Sequence, residues 1–415
     1  MTNFWINPEA HSNQIKFNAA NSKEFTMFRY LRFYILPAMI ILIALGMMLG
    51  GIWLWVPAVV FIILVSILDQ VIPKDLDEKN YKYPFLLDLA LYMSTPASLT
   101  IFFALFWVAG SGVQDAFGVG NIIQSITNID VVALRNNTQW YHFVLMFFAL
   151  TMPVTGAGGL AGHELTHRTW RPFDLWLGRF TMALNWGIAF PIEHVYGHHS
   201  YVGTIKDPAT AARGDSVYQH LPKALYRTVF NAWEIESARL DKIGAAIFSP
   251  KNVLLQLAAI SMTTTLVAYL FAGWIGVMFH LIICLMTKIA LEILNYVEHY
   301  GIVRVPTEPV KPHHSWNCNH LVSGVFTYNL TRHSHHHADA QVPFQDLQSY
   351  YDQPEMPGGF TTAYLTTLIP PLWQKRITPK LKEWDERFAS AAERNLASEA
   401  NRVSHWSGLE GSSLT

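Results

Sequence analysis

The chain has 415 residues and a formal net charge of −1, with 51% hydrophobic and only 14% charged residues. Soluble domains usually carry about 25% charged residues, and the apolar residues here are gathered into long stretches, among them 33–68, 89–114, 141–162 and 252–287. Since a membrane-spanning helix needs roughly 20 apolar residues, the composition indicates an integral membrane protein whose first partner is the lipid bilayer. The near-neutral charge gives no indication of a nucleic-acid partner. The two cysteines, Cys284 and Cys318, are too few for a disulfide framework or an iron–sulfur ligand set.

The apolar stretches predict an all-α integral membrane protein built as a six-transmembrane-helix bundle. Glycine-containing turns at Gly50-Gly51 and Ala272-Gly273 join the first two and the last two helices into hairpins. Residues 173–192 are interrupted by polar and proline residues and favour an interfacial or re-entrant helix over a seventh span. The six predicted helices lie near residues 31–50, 53–70, 86–108, 141–162, 253–272 and 275–297.

The distribution of lysine and arginine predicts the orientation of this bundle. The short connections near 51, 109–140 and 273 carry one basic residue, Arg135, whereas the termini and the long loops carry nearly all the others. The positive-inside rule therefore places both termini and the long loops in the cytoplasm. The chain is divided into an N-terminal arm (1–30), a membrane domain (31–390) and a C-terminal tail (391–415) that is predicted to be disordered.

Nine histidines fall into four short clusters, and each cluster ends a hydrophobic segment or closely follows one. The clusters read HELTH, EHVYGHH, VEHYG and RHSHHHA. The predicted topology places all four on the cytoplasmic side. Their histidines are His163, His167, His194, His198, His199, His299, His333, His336 and His337.

The HELTH cluster is ambiguous by itself. Its two histidines are four residues apart, which on a helix places both imidazoles on one face. Zinc metalloproteases use the same spacing, with the intervening glutamate as general base. A helix end with two solvated histidines is the alternative.

A polar stripe on the last predicted membrane helix leads to the VEHYG histidine. Lys288, Glu292, Asn295 and His299 follow the spacing i, i+4, i+7, i+11 and lie within about 60° of one face. Ionisable residues inside a membrane helix are costly and normally mark function. His299 is a candidate ligand with Asn295 and Glu292 beneath it, and a Lys288–Glu292 ion pair that locks the bundle is the alternative.

Nine imidazoles exceed the roughly six ligands of one metal ion, so two ions with four or five histidines each fit better. Imidazole-rich sites suit zinc, copper, iron or nickel, and structural zinc normally closes its coordination sphere with four ligands. The pattern therefore favours iron. The sequence does not assign the remaining histidines of this region, His313, His314, His320 and His335, although the HxxHH spacing leaves His335 outside the last ligand frame.

The boxes HELTHR, EHVYGHH, NYVEHYG and NLTRHSHHHA closely resemble those of membrane-bound alkane 1-monooxygenases, within the fatty-acid desaturase/hydroxylase superfamily. PHHSWNCNHLVSGV and the DPAT of Asp207–Thr210 are also similar, and the resemblance spans roughly 30–390. The flanking VIPKDLD, LIPPLWQ and PKLKEWDERFA resemble the hydroxylase component of xylene monooxygenase, a sister branch. Two positions depart from the boxes of the alkane 1-monooxygenases: Arg168 stands where lysine is usual, and His335 stands where aspartate is usual.

The resemblance implies a cytoplasmic di-iron site ligated by the nine cluster histidines, with O2 as co-substrate. It implies hydroxylation of a terminal methyl group to a primary alcohol, in the inner (cytoplasmic) membrane. Electrons would come from an external NAD(P)H-linked rubredoxin or ferredoxin-type reductase. The glycine-rich segment at 156–162 follows a membrane helix rather than a strand, so it predicts close helix packing instead of a dinucleotide site.

Two further sets of residues are expected around this site. The first comprises residues that could orient the imidazoles from behind: Glu164, Glu193, Glu292, Asn295 and Glu298. The second comprises aromatic residues of the first three helices that could line an apolar substrate channel: Phe33, Trp53, Trp55, Phe61 and Tyr92.

Three other functions are compatible with parts of the pattern. An acyl desaturase uses related boxes, but its second box is HxxHH rather than HxxxHH. A zinc-dependent intramembrane protease built on HELTH would leave the other clusters unexplained. A metal transporter should distribute its ligands across the bilayer, whereas these gather on one side.

Overall fold

The computed structural model of the chain describes residues 26–77, 80–404 and 406. Within these ranges the protein is helical, and the only β pairing consists of two isolated bridges, Lys74–His320 and Asn317–Glu355. The N-terminal half contains α1 (Thr26–Leu31), α2 (Ile35–Met47), α3 (Val56–Val71), α4 (Phe85–Ala109), α5 (Val119–Thr127), α6 (Val131–Asn136), α7 (Trp140–Val154), α8 (Ala161–His167) and α9 (Pro172–Ala183). The C-terminal half contains α10 (Phe190–Glu193), α11 (His199–Tyr201), α12 (Val217–Lys242), α13 (Val253–His299), α14 (Leu321–Phe326), α15 (His333–Ala338), α16 (Phe360–Thr367), α17 (Pro370–Arg387) and α18 (Ala391–Val403).

Four helical runs among the described residues are long and apolar enough to cross a membrane: Met27–Met47, Pro84–Ala109, Trp140–His167 and Val253–His299. Outward-facing apolar side chains such as Leu42, Ile63 and Leu285 are more than half exposed, as lipid-facing residues are. The fold is therefore that of a multi-pass α-helical membrane protein, as predicted. The predicted number of six spans is not established by length alone, because α3 has only 16 residues.

The run Val253–His299 is a hairpin rather than one rod. Helical geometry breaks at Ala272 and at Gly273, whose φ is +60°. The Oγ1 of Thr265 then lies 3.1 Å from Nδ1 of His280, although a straight helix would separate these residues by about 22 Å. The predicted turn at Ala272-Gly273 is thus confirmed, and the second arm returns to the side from which the first arm started.

Small residues allow the helices around the histidine clusters to pack at short range. The segment Thr155–Leu160 forms one π-helical turn between α7 and α8, a distortion that is frequent at functional sites. A Cβ atom added at Gly158 would lie 2.3 Å from Asn185, and one added at Gly159 would lie 2.8 Å from Leu291. The prediction that this glycine-rich segment serves close packing is confirmed.

Helix α9 has 12 residues, a length of about 18 Å, so it does not cross the membrane. This agrees with the interfacial or re-entrant helix predicted for residues 173–192. It leaves the HELTH and EHVYGHH clusters on the same side of the bundle.

The C-terminal tail differs from the prediction. Residues 391–403 were expected to be disordered but form α18, which begins with a capping box between Ser390 and Glu393. The helix packs back on the protein and buries Ala397 and Asn401. The charge density of this segment suggested a solvated tail, whereas the capping box and the tertiary contacts together stabilise the helix. The predicted tail beyond 406 and the predicted arm before residue 26 lie outside the described residues.

Buried apolar residues form two large clusters, one within the membrane bundle and one beside it. One lies in the membrane bundle and is built mainly from α2, α4 and α7. The other joins the end of α13 to α16, α17 and the segment before α14, and it contains Trp316, Trp373 and Trp384. The histidine clusters are held at the boundary between these two cores.

Candidate metal centre

Four structural elements bring the nine cluster histidines together. Helix α8 carries the first pair at the end of the run from Trp140, and a π-helical turn at His194–His198 continues into α11 and carries the next three. His299 ends α13, and α15 carries the last three. Eight of the nine are buried, and His199 is partly buried. The four clusters therefore form one interior site, as the sequence predicted.

The histidines separate into two adjacent groups according to the distances between their ring nitrogens. In the larger group, Nε2 of His194 lies 2.8 Å from Nε2 of His163 and 3.1 Å from Nε2 of His199. Nε2 of His167 lies 3.2 Å from Nε2 of His163. Such close nitrogens could share one metal ion, and the group is His163, His167, His194, His199 and His336.

The second group has the same character. Nε2 of His333 lies 2.9 Å from Nε2 of His299 and 3.1 Å from Nε2 of His337. Nε2 of His198 points to the same place, since the rings of His198 and His299 are 4.7 Å apart and this nitrogen has no hydrogen-bond partner. Four imidazoles and the nearby Glu298 carboxylate thus surround a second position that could hold a metal ion.

Three histidines of the second group have partners at Nδ1 that favour the tautomer with a free Nε2 lone pair. Nδ1 of His198 lies 2.9 Å from a carboxylate oxygen of Asp207. Nδ1 of His333 faces the Leu330 carbonyl at 3.2 Å, and Nδ1 of His299 faces the His314 carbonyl at 3.4 Å. Metal-ligating histidines normally donate their other N–H in this way. The donor set therefore fits metal ions bound through Nε2.

Electrostatics keep most of these rings neutral, which is the form that binds metal. Burial lowers the pKa of these imidazoles, and repulsion from neighbouring imidazoles lowers it further. The pKa therefore lies well below the usual histidine range for the five cluster histidines outside the long membrane helices, which are His194, His199, His333, His336 and His337.

His198 is the exception among these rings. Burial lowers its pKa, but the adjacent Asp207 carboxylate outweighs that effect, so the pKa of His198 is raised. Asp207 is itself fixed by Thr210 Oγ1, which donates to it at 2.5 Å, and by the Ala209 N–H at 3.0 Å. Asp207 of the DPAT motif thus orients His198. The sequence signal for this role is a carboxylate eight to nine residues after the histidine pair His198-His199.

The predicted orienting residues occupy different positions around the site. Glu164 accepts from Arg168 and from the Phe344 N–H rather than from an imidazole. Glu298 Oε2 lies 3.5 Å from Nε2 of His333. Glu193 lies behind the site, where burial and the nearby Asp207 raise its pKa to about 8.

Glu292 and Asn295 form a polar pair beneath the second group. Asn295 Nδ2 donates to Glu292 at 3.2 Å, and Thr228 donates to the other carboxylate oxygen at 3.3 Å. Lys288 lines a small cavity beside Glu292, but no ion pair between them occurs among the described residues. The alternative of a Lys288–Glu292 pair is therefore wrong.

Arg168 is buried at the end of α8 and connects this helix to α4. It donates to Glu164 at 2.9 Å and contacts Asp88 and Asp174 at 2.5 and 3.1 Å. Three carboxylates and the planar guanidinium fix the end of the HELTH helix. This geometry uses the fork of arginine, which the ammonium group of lysine does not offer.

An apolar cavity with a water-accessible volume of about 70 Å³ approaches the metal centre from the membrane bundle. Leu160 and Leu294 line both this cavity and a smaller one whose wall includes His163, His194 and His333. The two spaces are therefore neighbours separated by aliphatic side chains. The wall of the larger cavity includes Leu36, Phe61, Ile62, Val65, Met152, Phe326, Phe360 and Tyr364.

Of the five predicted channel residues, only Phe61 lines this cavity. Phe33 is buried between Tyr328 and Phe344. Trp53 is about half exposed, Trp55 donates to His142 at 3.0 Å, and Tyr92 donates to Asp174 at 2.6 Å. Aromatic character alone did not distinguish packing from cavity positions.

The four histidines left unassigned by sequence lie outside both groups. Nδ1 of His335 accepts from the Gln348 N–H at 2.8 Å, and its ring packs on Tyr350. Nδ1 of His320 faces the Asp69 carbonyl at 2.5 Å. His313 and His314 approach Glu393 at 3.4 and 2.6 Å.

The fold and the histidine site define a multi-pass membrane protein with a buried, histidine-rich candidate metal site. The family described as fatty acid desaturase matches residues 138–365. The xylene/toluene monooxygenase hydroxylase component of Pseudomonas putida is 31% identical over 382 residues, which is 91% of this chain and 95% of that protein.

Alkane 1-monooxygenases are also similar. Alkane 1-monooxygenase 2 of Alcanivorax borkumensis is 37% identical over 230 residues, or 54% of this chain and 60% of that protein. Alkane 1-monooxygenase 1 of Pseudomonas aeruginosa is 38% identical over 251 residues, or 58% and 65%. These two alignments thus span about three fifths of each relative. The chain belongs to the fatty acid desaturase family, in the branch that contains the alkane 1-monooxygenases and the xylene monooxygenase hydroxylase component.

Proposed function

We propose that this protein is a di-iron monooxygenase of the inner membrane, with cytoplasmic termini. It would insert one oxygen atom of O2 into the terminal methyl C–H bond of an alkane, or into the methyl group of an alkyl-aromatic compound, to give a primary alcohol. The convergence of nine histidine Nε2 atoms into two adjacent groups beside an apolar cavity carries this proposal. The relatives described as monooxygenases support the choice of reaction.

The reaction balances as R–CH3 + O2 + 2e⁻ + 2H⁺ → R–CH2OH + H2O. Bound iron would supply the redox chemistry that activates O2. One ion would be held by His163, His167, His194, His199 and His336, and the other by His198, His299, His333 and His337. The role of Asp207 would be to orient His198 through Nδ1, as carboxylates behind metal-bound histidines do.

The apolar cavity would bind the hydrocarbon and orient its terminal methyl group toward the metals. Its lining is mainly aliphatic and aromatic, with a few serine and threonine residues, so the substrate would be held chiefly by burial of apolar surface. Leu160 and Leu294, which border both cavities, would contact the chain end. The same side chains would exclude bulk water from the reacting carbon.

The two electrons would come from a separate rubredoxin or ferredoxin-type protein served by an NAD(P)H-linked reductase. The basic cytoplasmic side predicted from the sequence is complementary to an acidic electron carrier, and such complementarity accelerates association. Electrons would therefore enter from the cytoplasm and pass to the iron centre buried below that surface. Coexpression of either carrier provides a direct comparison of the two donors.

The test is conversion of n-octane, n-hexadecane and p-xylene by whole cells that coexpress the electron-transfer proteins, under ¹⁸O-labelled O2. Gas chromatography–mass spectrometry should detect a primary or benzylic alcohol that carries the label. The substrate that is converted shows whether the activity is that of an alkane hydroxylase or of an alkyl-aromatic hydroxylase. The His163→Ala variant should yield no product. New double bonds in the acyl chains of the cell, with no labelled alcohol, would instead assign an acyl desaturase.

A further inference from the structure

His299 reaches the second metal group from the end of α13, and its outer nitrogen faces a backbone carbonyl. Nε2 of His299 points at His333, 2.9 Å away, and Nδ1 faces the carbonyl oxygen of His314 at 3.4 Å. A proton on Nδ1 leaves the Nε2 lone pair for a metal ion. The position of the His314 carbonyl therefore affects both the tautomer and the orientation of His299.

That carbonyl belongs to a short 3₁₀ turn, Pro312–His314, which is held by the side chain of His314. The Lys311 N–H donates to Nδ1 of His314 at 2.9 Å, so Nε2 must carry the proton. Nε2 then donates to Glu393 at 2.6 Å. Both side chains are fully buried. The cluster of His313, His314 and Glu393 is therefore a hydrogen-bonded tether and not a third metal site, because His314 offers no free Nε2 lone pair.

Glu393 is held in place by its own helix. Its second carboxylate oxygen accepts from the Ser390 N–H at 2.7 Å, as part of the capping box that begins α18. In addition, Trp384 of α17 donates to the His313 carbonyl at 2.7 Å. The C-terminal helices thus contact the turn at two successive residues.

The same two helices also hold the chain on the other side of His299. Arg213 donates to the Gly301 carbonyl at 2.7 Å and forms an ion pair with Asp385 at 2.6 Å. It donates further to Asn401 of α18 at 2.9 Å. Residues 301 and 313–314, which flank His299 in space, are thereby fixed to one C-terminal unit.

We infer that Glu393 is a positioning residue for the metal centre: through His314 it fixes the carbonyl that orients His299, so the C-terminal helices set the geometry of the second metal group. The inference rests on the proposed di-iron function. It assigns a role to a segment that lies beyond the matched family region, which ends at residue 365. Within the described residues, Glu393 reaches the cluster histidines indirectly, through His314.

The test is replacement of Glu393 by leucine in the full-length, membrane-purified protein, with Glu399→Leu as the matched control. Glu399 lies six residues further along α18, is 60% exposed, and forms an ion pair with Arg402. Iron per chain and the ⁵⁷Fe Mössbauer spectrum are measured after loading. Glu393→Leu should lose one of two iron ions, through an affinity about 10–100-fold weaker, while Glu399→Leu should match the wild type.

The conservative variant Glu393→Gln addresses the case in which Glu393→Leu does not accumulate. It keeps the volume and one of the two acceptor oxygens but loses the charge and the other acceptor, so one iron should be removed by a chelator several-fold faster than in the wild type. An unchanged removal rate and an unchanged Mössbauer spectrum in both variants would overturn the inference. If the wild-type protein itself binds no iron, the proposed function fails instead, and the two failures are thereby distinguished.

Discussion

The histidines of this protein differ in the ring nitrogen that they direct toward the candidate metal site. The cluster histidines direct Nε2 inward, whereas His335 presents Nδ1 to the Gln348 N–H and lies outside both groups. Sequence alone places His335 among four nearly consecutive histidines, and the helical spacing of α15 separates it from its neighbours. The chemistry of a histidine here follows from its position on the helix and not from its membership of a cluster.

Replacement of His299 by alanine should abolish alcohol formation while the protein still inserts in the membrane. His299 is the imidazole that α13 contributes to the second group, and its removal leaves three imidazoles there. Product is measured by gas chromatography, and membrane insertion by fractionation. The matched control is His335→Asp, which retains an acceptor for the Gln348 N–H and should keep most of the activity. Full turnover by His299→Ala would remove it from the ligand set.

Replacement of Asp207 by asparagine should weaken metal retention or activity by about 10–100-fold, the usual effect of losing a carboxylate behind a metal-bound histidine. Asparagine preserves the volume but removes the charge that keeps Nδ1 of His198 protonated. Iron content and initial rates provide the measurement. Asp215→Asn is the control, since Asp215 pairs with the exposed Lys223 away from the site. Equal iron retention in the two variants would contradict the assigned role.

At the scale of helices, close packing around the HELTH segment depends on glycine. A Cβ atom at Gly178 would lie 2.9 Å from the Gly162 carbonyl oxygen and 2.8 Å from Cβ of Leu165. Gly178→Ala should therefore push α9 away from α8, at a cost of about 1–3 kcal/mol. Thermal unfolding in detergent and iron content report the effect. Gly46→Ala, where the nearest atom is 3.5 Å away, is the control and should be neutral.

Cavity length should depend on residues of α3 that face inward. Ile62 lines the apolar cavity, whereas its neighbour Ile63 is 52% exposed on the outside of the helix. Ile62→Trp should shorten the longest n-alkane that is converted, because the larger side chain occupies part of the cavity. Ile63→Trp should leave the chain-length profile unchanged. A competition assay with mixed n-alkanes measures both, and identical profiles would contradict the assignment of this cavity to substrate.

The sequence predicts the local features of this fold better than the features that depend on tertiary packing. Hydrophobic length predicted residues 86–108 as a helix, and α4 spans Phe85–Ala109. The sequence did not predict the π-helical turns at Thr155–Leu160 and His194–His198, because they depend on packing against other helices. The tether between His314 and Glu393 could not be predicted from the sequence either, because it joins residues 79 positions apart. That contact, the capping box and the burial of Ala397 and Asn401 stabilise α18.

At the scale of the molecule, the metal groups lie between a membrane core and a second core built from the end of α13 and the C-terminal helices. The first core provides the apolar cavity, and the second holds the chain around His299. Loss of contacts in the second core should therefore affect the metals before it affects the bundle. Chemical unfolding that follows iron release and helicity separately should show iron release first.

Acidification should destabilise the iron-loaded protein through the tether. Burial lowers the pKa of His314 to about 4 from an unfolded value of 6.5. Burial would raise the pKa of Glu393, but hydrogen bonds from His314 and Ser390 outweigh it and lower the pKa to about 2 from 4.5. Both native pKa values are depressed, so the unfolded chain binds more protons in acid, and stability falls as pH decreases.

The stability from His314 is complete above pH 6.5 and is lost as the pH falls toward about 4, and that from Glu393 is lost between pH 4.5 and about 2. His314→Gln keeps an acceptor for Lys311 and a donor for Glu393 but does not titrate. Its unfolding temperature should therefore fall less steeply than that of the wild type as the pH is lowered from 6.5 toward 4. Parallel slopes would mean that other buried histidines dominate the acid response.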